Sequence, residues 1–177
     1  MTFIRTRIMP LLAHLSNYLP QWVYWQILWH VNQKFLIGAC VVIMDENSNV
    51  LLFRHIFRPA GYEWGLPGGW IKRGETIEHG LEREVFEESH LRVRILQPLS
   101  VNTARSLPRL DLFFLGQPLD GNFQASNEVT AVQYFSVEDL PHIIPEQKQA
   151  ILTALRQAKS SPKTASAEKY SSFPGHP

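Results

Sequence analysis

Three acidic residues, Glu84, Glu87 and Glu88, stand close together in LPGGWIKRGETIEHGLEREVFEESHL, residues 66–91. On a helix turning 100° per residue, Glu87 falls about 60° to one side of Glu84 and Glu88 about 40° to the other. Three carboxylates then leave one face within a turn. Like charges at that spacing repel by a few tenths of a kcal/mol per exposed pair. A hard divalent cation offsets the repulsion, because Mg²⁺ takes carboxylate oxygens and shares its remaining positions with substrate phosphate. Arg83 is spaced to pair with Glu87 at i+4, and Glu75, ahead of the helix, is within reach of the same cluster. A solvated acidic helix would account for EREVFEES alone. The loop before it, with Pro67-Gly68-Gly69 and Gly74-Glu75, turns tightly and lets backbone approach a ligand, which shifts the balance toward a site.

The elements that must position this cluster are readable from periodicity. Ile77, Leu81 and Val85 recur at i, i+4 and i+8 and predict a helix over roughly 76–89 with a core-facing stripe. Phe86 lies on another side, giving a second apolar flank, and Gly80 keeps the acidic face low enough for closely packed backbone. LIGACVVIM and VLLFRHIF, flanking the turn-forming DENSN, read as strands. Further strands are expected at 92–101, 110–116 and 129–135, a second helix from Pro145 to about Ala158, and a short turn at SVEDLP, 136–141. Strand groups mixed with helices, without a regular βαβ repeat, predict an α+β fold with a mixed sheet.

Composition sets the outer bounds. Of 177 residues, 45% are apolar and 19% charged, which excludes wholesale disorder. Lys+Arg number 17 against 16 Asp+Glu, a net charge of +1, so a general nucleic-acid-binding surface is not expected. The single cysteine, Cys40, sits in an apolar strand as a small buried hydrophobe, and a reducing, cytoplasmic compartment is the expectation. Three regions emerge: 1–34, 35–158, and a Ser/Pro/Lys-rich tail from 159 to 177 that reads as disordered. Residues 1–34 contain no acid, carry Arg5, Arg7 and Lys34, and place Trp22, Trp25 and Trp29 on one face of a helix beginning after Pro20. Pro10 and His14 interrupt the apolar run and argue against a signal peptide. The Trp stripe is expected to pack on its own domain or on a second copy in a homodimer. Peripheral contact with an anionic membrane is the disfavoured reading.

Gly69, five residues, Glu75, seven residues, then Arg83-Glu84-Val85-Phe86-Glu87-Glu88-Ser89-His90-Leu91 resembles the Nudix box, G-x5-E-x7-R-E-U-x-E-E-x-G-U, with U apolar. The wider resemblance runs from about Lys34 to Arg156. It implies an α/β/α sandwich around a mixed sheet, with an extra N-terminal helix here, and hydrolysis of a nucleoside diphosphate linked to another moiety. It further implies that Glu84, Glu87 and Glu88 are ligands for Mg²⁺ or Mn²⁺, with the Gly68 or Gly69 carbonyl completing the shell. Arg83 is then the residue that orients a glutamate, and Glu75 a supporting acid. Glu84 is the first choice for general base and Glu128 the second.

His90 stands where the family has glycine in a left-handed helix end, which histidine tolerates at a small stability cost. Lys72 stands where many members have an acid. For substrate phosphates the candidates are Arg54, His55, Arg58, Arg105 and Arg109, although solvated surface charge is the favoured reading of each; for stacking on a base, Trp64 or Phe35, with core packing the favoured reading. Pro108, 17 residues past the box, is a weak hint of ADP-ribose or another nucleotide sugar. A non-catalytic Nudix-fold nucleotide sensor is the alternative, although such modules usually lose the carboxylates retained here.

Overall fold

The computed structural model describes residues 20–103 and 107–160. Its elements are α1 (Gln21–Val31), β1 (Leu36–Ile43), β2 (Val50–His55), β3 (Trp64–Gly65), β4 (Gly68–Trp70), α2 (Ile77–Ser89), β5 (Arg92–Thr103), β6 (Arg109–Asp120), β7 (Val129–Phe135) and α3 (Pro145–Ser160). One sheet has the order β4-β1-β6-β5 and the other β3-β2-β7. The β1–β6 pair is parallel and every other pair antiparallel, so the expected mixed arrangement is present.

Both faces of the central strands are apolar, and this dictates the layers. Ala39, Val41 and Ile43 of β1, with Leu51, Phe53, Leu112 and Phe114, pack against Leu81 and Val85 of α2. The alternate residues Val42, Val50, Leu52 and Phe113 pack against Ala150, Ile151 and Ala154 of α3. Strands covered on both faces read as continuous apolar runs, which is why LIGACVVI and VLLF carry so little alternation. Each fully buried Val, Leu or Phe contributes about 1.5–3 kcal/mol. The result is a helix–sheet–helix sandwich.

Local chemistry closes each junction. Asp45 caps the β1–β2 turn: its Oδ1 accepts from the Asn47 and Asn49 amides at 2.9 and 2.8 Å, and its Oδ2 from the Asn49 side chain at 2.8 Å. Thr76 caps α2, its hydroxyl accepting from the His79 amide at 3.3 Å. At the other end His90 adopts φ 60° and its amide donates to the Phe86 carbonyl at 2.8 Å, the left-handed ending expected at that position.

Several expectations need correction. Strands β5 and β6 extend beyond 92–101 and 110–116, and residues expected to be loop form the short strands β3 and β4. Phe86 is exposed and stacks on His90 at 5.4 Å, so α2 has one buried flank and not two. Gly80 makes room for a side chain, since a Cβ there would lie 2.6 Å from Glu75 Oε1. The tryptophans of α1 do not pack on the domain: Trp22, Trp25 and Trp29 are 71%, 65% and 61% exposed. Arg5, Arg7, the signal-peptide question, Arg105 and the tail beyond residue 160 lie outside the described residues. Among the described residues, no helix is long and apolar enough to cross a membrane.

Candidate active site

Helix α2 carries the acidic cluster, and Arg83 organises it. The guanidinium donates to Glu75 through Nε (3.0 Å to Oε2) and Nη2 (2.8 Å to Oε1). Nη1 donates to Glu84 Oε1 at 2.6 Å and to Glu87 Oε2 at 3.0 Å. Such forked, charge-assisted bonds fix rotamers as well as neutralise charge. They hold the Glu75 carboxyl down at a pKa of about 2 and push the Arg83 pKa further up. Lys72 adds looser contacts, its Nζ lying 3.8 Å from Glu84 Oε1 and 3.7 Å from Glu87 Oε2.

Glu88 points the other way, into the protein. It is 7% exposed, and its Oε1 lies 3.9 Å from Nδ1 of His55, itself 9% exposed. Burial, opposed by the Gly68 backbone amide and reinforced by Glu84 and Glu128, pushes the Glu88 carboxyl up to about 8. Burial and the nearby Arg58 cation pull His55 down to about 4. The pair is therefore neutral near pH 7 and not a salt bridge, despite the distance. Glu88 Oε2 and His55 Nε2 are the two buried side-chain polar atoms among the described residues that lack a hydrogen-bond partner. A buried, partnerless carboxylate oxygen is held by a proton or by a cation.

That orphaned oxygen fits a divalent metal, as does the donor chemistry. Glu75, Glu84 and Glu87 share only Arg83 and Lys72, and Glu88 has only His55 and the Arg58 cation near it, which leaves a surplus of hard oxygen donors. Among the described residues no group of three His, Cys, Asp or Glu converges tightly enough to grip an ion, since Glu84 and Glu87 are turned onto Arg83 and Lys72.

The backbone beside the helix is built from glycine for steric reasons. Gly68 has φ 145°, and a Cβ on it would collide with the Ala39 carbonyl and Cys40 Cα. A Cβ on Gly69 would strike the Glu84 carboxylate. Gly68 and Gly69 also line a cleft of about 830 Å³, together with His55, Arg58, Arg109 and Glu128. The sequence candidates thus divide. Arg58, Arg109, His55, Glu128 and the two glycines share the cleft, whereas Glu84, Glu87 and Glu88 are not part of its lining. Arg54 is exposed on β2 outside the cleft, and Trp64 packs edge-on against Phe135 at a centroid distance of 5.0 Å, in the core beside α3. Phe35 is exposed ahead of β1 and does not reach the cleft.

The cleft also contains residues the spacing argument passed over, notably Trp70 and Asp111. A signal for each was present: an aromatic directly after the double glycine, and an acid inside the apolar run RLDLFFLG. Cys40, in the cleft wall, is pushed up to about 12 by burial and remains a thiol.

Comparison with known proteins agrees with this geometry. The profile of the NUDIX domain matches residues 34–155. A MutT-like protein of Streptomyces ambofaciens is 33% identical over 112 residues, covering 62% of this chain and 70% of the relative. The ADP-ribose pyrophosphatase of Methanocaldococcus jannaschii is 25% identical over 118 residues, covering 64% and 70%. The crystal structure of an ADP-ribose pyrophosphatase from Streptococcus suis superposes with a TM-score of 0.58 at 27% identity, covering 70% of this chain and 93% of that one.

Proposed function

The chain belongs to the Nudix family and is a pyrophosphohydrolase of that family; on that premise we propose that it cleaves the diphosphate of a nucleoside diphosphate linked to another moiety. ADP-ribose and other nucleotide sugars are the first substrates to try, because two of the relatives above are named ADP-ribose pyrophosphatases. Nudix hydrolases generally use divalent metal. The observation that carries the reading for this chain is the orphaned Glu88 Oε2 on the same helix as two glutamates fixed by Arg83. Glu88, Glu84, Glu87 and the Gly68 or Gly69 carbonyl would hold Mg²⁺ or Mn²⁺.

When bound, that ion supplies positive charge for the diphosphate oxygens and acidity for the attacking water. The remaining work falls to the chain. Arg83 is a positioning residue that keeps Glu84 and Glu87 from splaying apart, and Glu75 anchors Arg83. Arg58 and Arg109 reach the cleft and offer cations to substrate phosphate. Of the two candidate bases the geometry favours Glu128, the reverse of the sequence-based order. Glu128 lines the cleft, whereas Glu84 is tied to Arg83 at 2.6 Å.

Formation of nucleoside monophosphate from ADP-ribose, other nucleotide sugars, dinucleoside polyphosphates and oxidised nucleoside triphosphates, read by chromatography with and without Mg²⁺, tests the reading. Metal-dependent turnover that disappears in Glu88→Gln is the expected result. No turnover of any of these compounds with either Mg²⁺ or Mn²⁺ would overturn it.

A further inference from the structure

Across three neighbouring strands, Trp70, Gly38 and Asp111 stand in one row, because Gly38 of β1 opposes Trp70 of β4 and Asp111 of β6. Residues directly opposite in register share a face, so the three belong to one stretch of cleft floor. The middle position has no side chain. A Cβ on Gly38 would lie 3.6 Å from the Trp70 ring and 3.2 Å from Asp111 Oδ1. An indole and a carboxylate therefore flank a space over Gly38 that a single methyl group would already fill. Trp70 is 51% exposed, so its ring is largely uncovered by the protein's own atoms. Asp111 is oriented: its Oδ2 accepts from Arg109 Nε at 2.9 Å, while Oδ1, the atom facing the gap, accepts no hydrogen bond among the described residues.

Each wall selects a chemistry. An indole face takes a flat π-system by stacking. An ionised carboxylate oxygen is an acceptor only, so the group meeting it must donate. We infer that the Trp70–Gly38–Asp111 row is a nucleobase slot for purine nucleotides, the base stacking on Trp70 over Gly38 and donating an edge N–H to Asp111 Oδ1. Asp111 is thereby a specificity-determining residue and Arg109 the residue that positions it. Adenine and guanine both present such a donor and two fused rings to stack; uracil offers a single ring. The inference rests on the hydrolase reading only in taking nucleotides as ligands.

The test uses the full chain and nucleoside monophosphates, which contain no diphosphate to cleave. Titration calorimetry with AMP, GMP and UMP is expected to show purine monophosphates binding more tightly than UMP. Asp111→Ala should weaken AMP or GMP roughly 10-fold, whereas Trp70→Ala should weaken all three and Trp70→Phe should bind nearly as wild type. Gly38→Val, which fills the gap, should abolish binding, and circular dichroism checks that each variant is folded. Should Asp111→Ala unfold through loss of the Arg109 pair, the two Trp70 variants decide by themselves. Wild-type affinity for purine monophosphates in a folded Trp70→Ala or Asp111→Ala, or equal affinity of the wild type for UMP, would overturn the slot. Purine binding that follows these variants, in a protein that cleaves no nucleoside diphosphate derivative, would leave the slot standing and remove the substrate proposal instead.

Discussion

The Arg83 guanidinium holds the Glu75 carboxylate in a two-bond fork, Nε to Oε2 at 3.0 Å and Nη2 to Oε1 at 2.8 Å, across eight residues and the start of a helix. The fork leaves Nη1 to bind Glu84 and Glu87 together. Glu75→Gln keeps the shape but loses the charge, so Arg83 should wander and its two client glutamates with it. Losing a group that orients charged partners of this kind typically lowers activity about 10–100-fold, chiefly in kcat. The same pair gives a pH signature. Glu75 has its pKa depressed from 4.5 to about 2 on folding, so the stabilisation is complete above pH 4.5 and lost as pH falls toward 2. Thermal melts should show wild type and Glu75→Gln separated at pH 6 and converging by pH 2. A gap that stays constant over that range would contradict the fork.

Glu88 makes the opposite wager between stability and function. Burial raises the Glu88 pKa from 4.5 to about 8, so near pH 7 the metal-free protein must protonate this carboxyl in order to fold, and an amide in its place removes that cost. Glu88→Gln is expected to raise the melting temperature in EDTA by on the order of 3 °C. Mg²⁺ should raise the melting temperature of the wild type and leave the variant unmoved, because a ligand stabilises only the state that binds it. Equal Mg²⁺ shifts in both proteins would show that Glu88 is no part of the metal site.

How far the sequence reached depended on the range of the interaction. The stripe Ile77, Leu81, Val85 and the cap at Thr76 are set by neighbours within one helix, and their spacing is sufficient to read them. The Glu75 fork spans a loop whose path the sequence does not encode, so proximity was foreseeable but the two-bond geometry was not. Strands β3 and β4, two and three residues long, are too short for any periodicity to register. The row of Trp70, Gly38 and Asp111 depends on strand register between segments more than thirty residues apart. The partner of Trp64 was out of reach for a related reason: its ring packs on Phe135, a neighbour supplied by the far end of β7.

Gly68 and Gly69 are adjacent but should fail differently. Alanine at Gly68 needs φ 145° and collides with the backbone of Ala39 and Cys40, which cannot swing aside. We expect Gly68→Ala to cost about 2 kcal/mol or more in urea unfolding. At Gly69 the obstacle is the end of the Glu84 side chain, which can move. Gly69→Ala should unfold near the wild-type midpoint and lose roughly 100-fold in turnover if Glu84 holds the ion as proposed, because displacing such a carboxylate by about an ångström suffices for that. Similar stability losses for both variants would refute the distinction.

His90, like Lys72, stands where the resemblance leads one to expect another residue, and at His90 the departure should be a matter of stability alone. The residue ends α2 with φ 60° and ψ 13°, a conformation that costs a side chain with a Cβ more than it costs glycine. Its ring also rests on exposed Phe86, at 5.4 Å, which offsets part of that strain. Glycine adds freedom to the unfolded chain, which subtracts a further few tenths of a kcal/mol. The balance favours glycine by about 0.5 kcal/mol, so His90→Gly should shift the urea midpoint slightly upward. Neither kcat nor KM should change, since the imidazole touches none of Arg83, Glu84, Glu87 or Glu88 and does not line the cleft. A loss of turnover in a stabilised His90→Gly would instead give the histidine a part in the reaction.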